Sequence, residues 1–109
     1  GEHLVCNTAD VSVGAMKQFV IKGELEVPYI LIHLAENEWR AFEQKCTHLS
    51  CAVHYRADIK KIECPCHKGY FDPRTGVVLQ GPPPRPLPQL TVIVSNEQVF
   101  VKALVENNT

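Results

Sequence analysis

Apolar residues along this chain fall into short runs separated by turn-forming residues, and no 3.6-residue periodicity of helix length appears. Lys17-Gln18-Phe19-Val20-Ile21-Lys22 has strand composition and stops at Gly23. Tyr29-Ile30-Leu31-Ile32-His33-Leu34 is an apolar run of strand length. The turn Glu36-Asn37-Glu38 leads from it into the alternating Trp39-Arg40-Ala41-Phe42-Glu43-Gln44. Ile59-Lys60-Lys61-Ile62-Glu63 reads as a short strand. Asp72-Pro73-Arg74-Thr75-Gly76 is a turn, because Pro fixes φ and Gly accepts φ > 0. Thr91–Val94 and Val99–Lys102 flank Ser95-Asn96-Glu97-Gln98 as a hairpin. The pattern therefore predicts an all-β chain, without internal repeats.

One stretch departs from it. Gly81-Pro82-Pro83-Pro84-Arg85-Pro86-Leu87-Pro88 is stiff, lacks amide donors at five positions and cannot enter a sheet interior. By composition alone it suits a polyproline ligand for a partner domain. The 109 residues make one domain, 1–109, large enough for a core. Net charge is −1 without a basic run, so nucleic acid binding has no electrostatic footprint. No stretch of about 18 apolar residues is present to span a bilayer.

The chemistry lies in two boxes, Cys46-Thr47-His48-Leu49-Ser50-Cys51 and Cys64-Pro65-Cys66-His67-Lys68-Gly69. Each offers a Cys and a His at close spacing plus a second Cys. The Cys–His pairs lie two and three residues apart and suit loop tips, as Pro65 and Gly69 do. Two thiolates and two imidazoles suit a [2Fe–2S] centre with mixed ligation. Neutral imidazoles in place of two thiolates remove negative charge and raise the potential to roughly −150 to +300 mV, against about −400 mV for all-Cys plant-type centres. A structural zinc site could use the same Cys46, His48, Cys64 and His67. The mixing of Cys with His inside each box, with two spare Cys in register, points to the iron–sulfur centre instead.

The pattern C-T-H-L-x-C, twelve residues, then C-P-C-H resembles Rieske iron–sulfur proteins, specifically the disulfide-bearing soluble domain of cytochrome bc-type quinol-oxidising complexes. The likeness runs from about Asp10 to Leu104. It implies Cys46 and Cys64 on one iron, His48 and His67 on the other, and a Cys51–Cys66 disulfide between the two loops. It implies an antiparallel β-sandwich with a small cluster-binding subdomain of roughly residues 46–81. The proline stretch, with Gly81, Pro82 and Pro83, resembles the loop that covers the cluster. High-potential relatives carry Ser and Tyr hydroxyls at the positions of Gly69 and Phe71. Neither residue here donates a hydrogen bond, so these potential-tuning positions imply a lower-potential centre suited to a quinol such as menaquinol. Tyr70, one residue early on an extended segment, should point the other way.

The resemblance implies one-electron transfer. A quinol would dock at His48 or His67, which carry the proton, and the electron would pass to a c-type haem. The expected partners are a quinol-oxidising membrane subunit and a c-type cytochrome. The expected location is the extracytoplasmic face of a membrane, held by an anchor absent from this chain; a disulfide favours such an oxidising compartment. Two alternatives remain open. One is the small Rieske subunit of an arsenite-oxidase-like molybdenum enzyme; the other is the ferredoxin of a ring-hydroxylating oxygenase, a class that usually lacks the two extra Cys. Among the remaining residues, Cys6 precedes the first strand signal and reads as an inert thiol. His3 reads as part of a frayed terminus, His33 as a satisfied histidine, His54 as solvent-exposed, and Lys60-Lys61 as a solvated face.

Overall fold

Strand β3 (Tyr29–Ala35) is apolar at every position but His33 because both of its faces are buried along most of its length. In the computed structural model, which describes residues 2–21, 27–47 and 51–104, Tyr29 and Leu31 point to one core and Ile30 and Ile32 to another. Successive side chains alternate across a strand, so one strand divides two cores.

The first core fills one side of a six-stranded antiparallel sheet. Its strands are β1 (Glu2–Asn7), β2 (Met16–Phe19), β3, β4 (Glu38–Glu43), β9 (Gln89–Ser95) and β10 (Gln98–Leu104), in the order β1-β10-β9-β4-β3-β2. Val11, Trp39, Ala41, Leu90, Val99 and Val101 pack here around Tyr29 and Leu31. The second sheet, β5 (His54–Arg56), β6 (Lys61–Cys64), β7 (Gly69–Phe71) and β8 (Val78–Gln80), is formed by residues between β4 and β9. It is antiparallel in the order β5-β6-β7-β8. Phe42, Val53, Ile62, Phe71 and Leu87 fill the second core with Ile30 and Ile32. Cys46 and Cys64 belong to that core, so each box is anchored in packed apolar surface.

The all-β antiparallel reading holds, with element edges moved. β2 spans Met16–Phe19 rather than 17–22, and Gly23 lies outside the described residues. The strand read at 59–63 is Lys61–Cys64, because Lys60 adopts φ +55° in the preceding turn. The β9–β10 connection tightens to Asn96-Glu97, both left-handed at φ +52° and +63°. That is the two-residue hairpin form whose twist matches the strands. The placement of Cys6 before the first strand and the reading of His3 as a frayed terminus are corrected: both sit in β1, paired with β10; the Cys6 thiol is free and buried, in line with an inert thiol.

Candidate metal centre

Three loops meet at one end of the molecule. The first leaves β4 and is clamped at its base. Val53 N–H donates to Gln44 O (2.8 Å), Gln44 Nε2 to the Val53 carbonyl (3.1 Å), and Cys46 N–H to Cys51 O (2.7 Å). Its apex, including His48, lies outside the described residues. The second loop is the β6–β7 turn. Cys64 pairs with Gly69, so Pro65, Cys66, His67 and Lys68 form the connection, with Lys68 left-handed at φ +53°. The Cys51–Cys66 disulfide, with Cα atoms 6.4 Å apart, joins the two loops.

Inside this frame the Cys46 and Cys64 thiols are free, buried and hydrogen-bonded to each other. Burial pushes the Cys64 thiol above its ordinary value, and the Cys46 thiol adds to the rise. The backbone N–H groups of Cys66 and His67 donate to the same sulfur and oppose it. Two amides aimed at one sulfur suit a thiolate, the form in which Cys binds a metal. His67 is half-buried on the same turn. Among the described residues no three potential ligands converge as a ready cation site. What is assembled is the thiol pair, with His67 beside Cys64. This donor set fits an iron–sulfur cluster: soft, buried sulfur on core strands, with imidazole on the loop.

The proline loop is the third element. Thr47 Oγ1 donates to the Arg85 carbonyl (2.7 Å), tying it to the first box. Gly81 (φ +98°) comes so close to the second that a Cβ there would lie 2.7 Å from Gly69 Cα. A Cβ on Gly69 would lie 3.1 Å from Pro83 Cδ and Cγ. Pro83 is buried while Pro82 and Pro84 are exposed. Gly69 thus leaves space that the buried Pro83 ring fills, and that ring brings no amide donor to the contact.

β7 alternates as expected. Phe71 is fully buried in the core that holds both thiols. Tyr70 faces outward, where its hydroxyl donates to Glu63 Oε2 (3.0 Å). Glu63 also meets His54 Nε2 at 3.0 Å and Arg56 at 3.5 Å, so His54 is not simply solvated. Lys61 also departs from the solvated-face reading, lying 5.6 Å from the Tyr70 ring centroid. Sequence spacing does not reveal this group, because it depends on the β5-β6-β7 register that sets His54 and Tyr70 opposite Glu63. His33 is satisfied as expected, and it is buried, with ring nitrogens at 2.8 Å from Val11 O and 3.1 Å from Glu36 O, stacked on Trp39.

Comparison with known proteins decides the family. The Rieske [2Fe-2S] domain family matches residues 1–91. The chain belongs to that family. A Rieske domain carries a [2Fe–2S] cluster, in agreement with the buried thiol pair. The putative respiratory nitrate reductase Rieske subunit of Haloferax mediterranei is 47% identical over 64 residues, covering 58% of this chain and 29% of that protein. The cytochrome b6-f complex iron-sulfur subunit of Synechococcus is 41% identical over 63 residues, covering 58% of this chain and 35% of that protein. The chain therefore spans about a third of the length of the curated relatives it matches. Among solved structures, the cyanobacterial plasma membrane Rieske protein from Synechocystis superposes with a TM-score of 0.79 at 29% identity, covering 92% of this Rieske chain and 98% of that one. A carbazole 1,9a-dioxygenase oxygenase–ferredoxin complex matches with a TM-score of 0.83 at 24% identity, covering 98% and 97%, and shows the fold alone. Electron transfer through a Rieske centre is the activity these likenesses support.

Proposed function

We propose that this Rieske domain takes one electron from a quinol and passes it to a c-type haem. The observation that carries this reading is the Cys51–Cys66 disulfide between the two box loops. That bond supports the quinol-oxidising type over oxygenase ferredoxins, which usually lack the cysteines for it. The relatives among cytochrome b6-f subunits support the same assignment. In this proposal Cys46 and Cys64 hold one iron, and His48 and His67 hold the other. When bound, the cluster supplies a one-electron acceptor at a potential set by its ligands and hydrogen bonds.

The chain's own residues do the remainder. The amides of Cys66 and His67 hold the Cys64 sulfur, and the disulfide fixes the separation of the loops. Pro83, seated on Gly69 beside the second box, would shield that side of the site. The imidazoles, of which His67 stands on the β6–β7 connection, receive the quinol hydroxyl and its proton. With Gly69 and Phe71 offering no hydroxyl, the potential lies below that of relatives with Ser and Tyr there. The disulfide supports a location on the extracytoplasmic side of a membrane, since such bonds persist in oxidising compartments. A second reading, a subunit of a molybdenum oxidoreductase in which no quinol binds, draws support from the nitrate reductase relative.

The test is the EPR spectrum of the reduced domain in its native complex, recorded with and without a quinone analogue. A shift of the signal by the analogue is expected. An unchanged spectrum in a complex that still transfers electrons would leave the second reading standing.

A further inference from the structure

The charge around the three loops is one-sided. Lys45 precedes Cys46, Lys68 follows His67, and Arg85 belongs to the proline loop; all three are exposed. None forms an ion pair among the described residues. The loops are tied together by the disulfide, the Thr47–Arg85 hydrogen bond and the Gly81–Gly69 contact, so the three cations share one end of the molecule. From 44 to 57, from 64 to 71 and from 77 to 96 the sequence contains no Asp or Glu. The chain as a whole carries −1, so apart from these three cations it carries −4. The neighbouring carboxylate Glu63 is engaged by His54, Arg56 and Tyr70 on the outer face of the second sheet. Glu43 closes β4 just before Lys45.

The same loops expose four prolines. Pro65, Pro82, Pro84 and Pro86 are exposed and offer no amide donor. A stiff apolar centre with a charged rim is the anatomy of a protein interface. Among the described residues, the large exposed apolar side chains are Leu4, Val13, Val20, Ile59, Val77, Leu79 and Val94, and none lies in these loops. Leu79, in β8 just before the proline loop, is the one such side chain near this end among the described residues, too little for an interfacial anchor.

We propose that this end docks the acidic face of a partner redox protein, with Lys45, Lys68 and Arg85 steering it against the cluster loops. The proposal rests on the electron-transfer reading above. Complementary charge of this kind acts chiefly on encounter rate and specificity, and salt weakens it.

Two arms test it. In the first, the reduced iron-loaded protein is mixed by stopped flow with ferricyanide or with tris(phenanthroline)cobalt(III). Ionic strength is raised from about 0.01 M to about 0.15 M, which shortens the screening length from about 30 Å to about 8 Å. Attraction at the loops predicts that the ferricyanide rate falls several-fold while the cobalt rate does not. The overall negative charge alone, −1 from the sequence and one more from the reduced cluster on two thiolates, predicts the reverse, and a ferricyanide rate that rises with salt would overturn the proposal. The combined variant Lys45→Gln, Lys68→Gln and Arg85→Gln should flatten the ferricyanide dependence; the three single variants serve if the triple loses its cluster.

In the second arm, a dye-labelled polyglutamate peptide is titrated by fluorescence anisotropy, with phosphatidylserine vesicles as the comparison. Salt-sensitive peptide binding that is lost in the variants supports the assignment. Binding to the vesicles without binding to the peptide, or peptide binding unchanged by the substitutions, overturns it. If neither oxidant takes an electron, the electron-transfer reading fails by itself, while the peptide arm still decides the surface.

Discussion

Replacing Gly69 with Ser tests how the site sets its potential. Gly69 is not among the positive-φ residues, so Ser meets no backbone strain there. Its Cβ would lie 3.1 Å from Pro83 Cδ and Cγ, tighter than an ordinary contact, and the proline ring must give by a few tenths of an ångström. Overpacking of this size costs about 1 kcal/mol, the low end for an added group in a packed site. A hydroxyl donating to a charged partner is worth about 1.5–3 kcal/mol. Only its difference between the oxidised and reduced states moves the potential. If about 1–2 kcal/mol survives, the midpoint rises by about 40–85 mV for one electron, at about 59 mV per tenfold. Gly69→Ala is the control, since it adds the same Cβ without the hydroxyl. Potentiometric titration followed by EPR or circular dichroism at fixed pH should give Ser above Ala by that amount, with Ala near the parent. Phe71→Tyr should add to the rise, because Phe71 shares its core with both thiols. A Ser variant that keeps its cluster, yet has a midpoint equal to or below Ala, would refute the reasoning.

Replacing Cys51 and Cys66 by Ser opens a link across a sequence separation of 15, worth about 3 kcal/mol in the chain-entropy account. Thermal unfolding should move down by roughly 10–20 °C, and cluster retention should fall; unchanged melting would mean that the bond is idle. Tyr70→Phe should leave the midpoint unchanged, because Tyr70 faces Glu63 and not the thiols. Glu63 holds the Tyr70 phenol above its ordinary value, so the hydrogen bond's contribution is present at neutral pH and is lost as pH rises through the raised value. Glu63→Gln should accordingly lower the phenol titration seen by ultraviolet absorbance. The proposed imidazole ligands predict a midpoint that falls in alkaline solution by about 59 mV per pH unit, one proton per electron; a flat profile from neutral to strongly alkaline pH would rule out proton coupling.

The boxes were legible because metal ligation demands particular atoms at short spacing. Spacing singled out the two boxes as wholes, while the Cys51–Cys66 pairing came from the family resemblance and is present in the structure. Long strands were legible for a related reason: Tyr29–Ala35 is apolar but for His33 because two cores need it. The short strands were not. β5, β7 and β8 have three residues each, too few for a period to appear. β1 hides its strand character because Leu4 is exposed while Cys6 is buried, the reverse of their hydrophobicity ranking. The Glu63 group and the seat of Pro83 on Gly69 depend on register and loop closure, which no local pattern carries.

The claim that Cys46, His48, Cys64 and His67 hold a [2Fe–2S] cluster is tested most directly by the EPR spectrum of the dithionite-reduced protein, read with its iron and acid-labile sulfide content. The account predicts two iron and two sulfide per chain, matching the family's cluster, and a rhombic signal with the low average g of two-imidazole ligation. A colourless protein with stoichiometric zinc, no labile sulfide and no signal would contradict it.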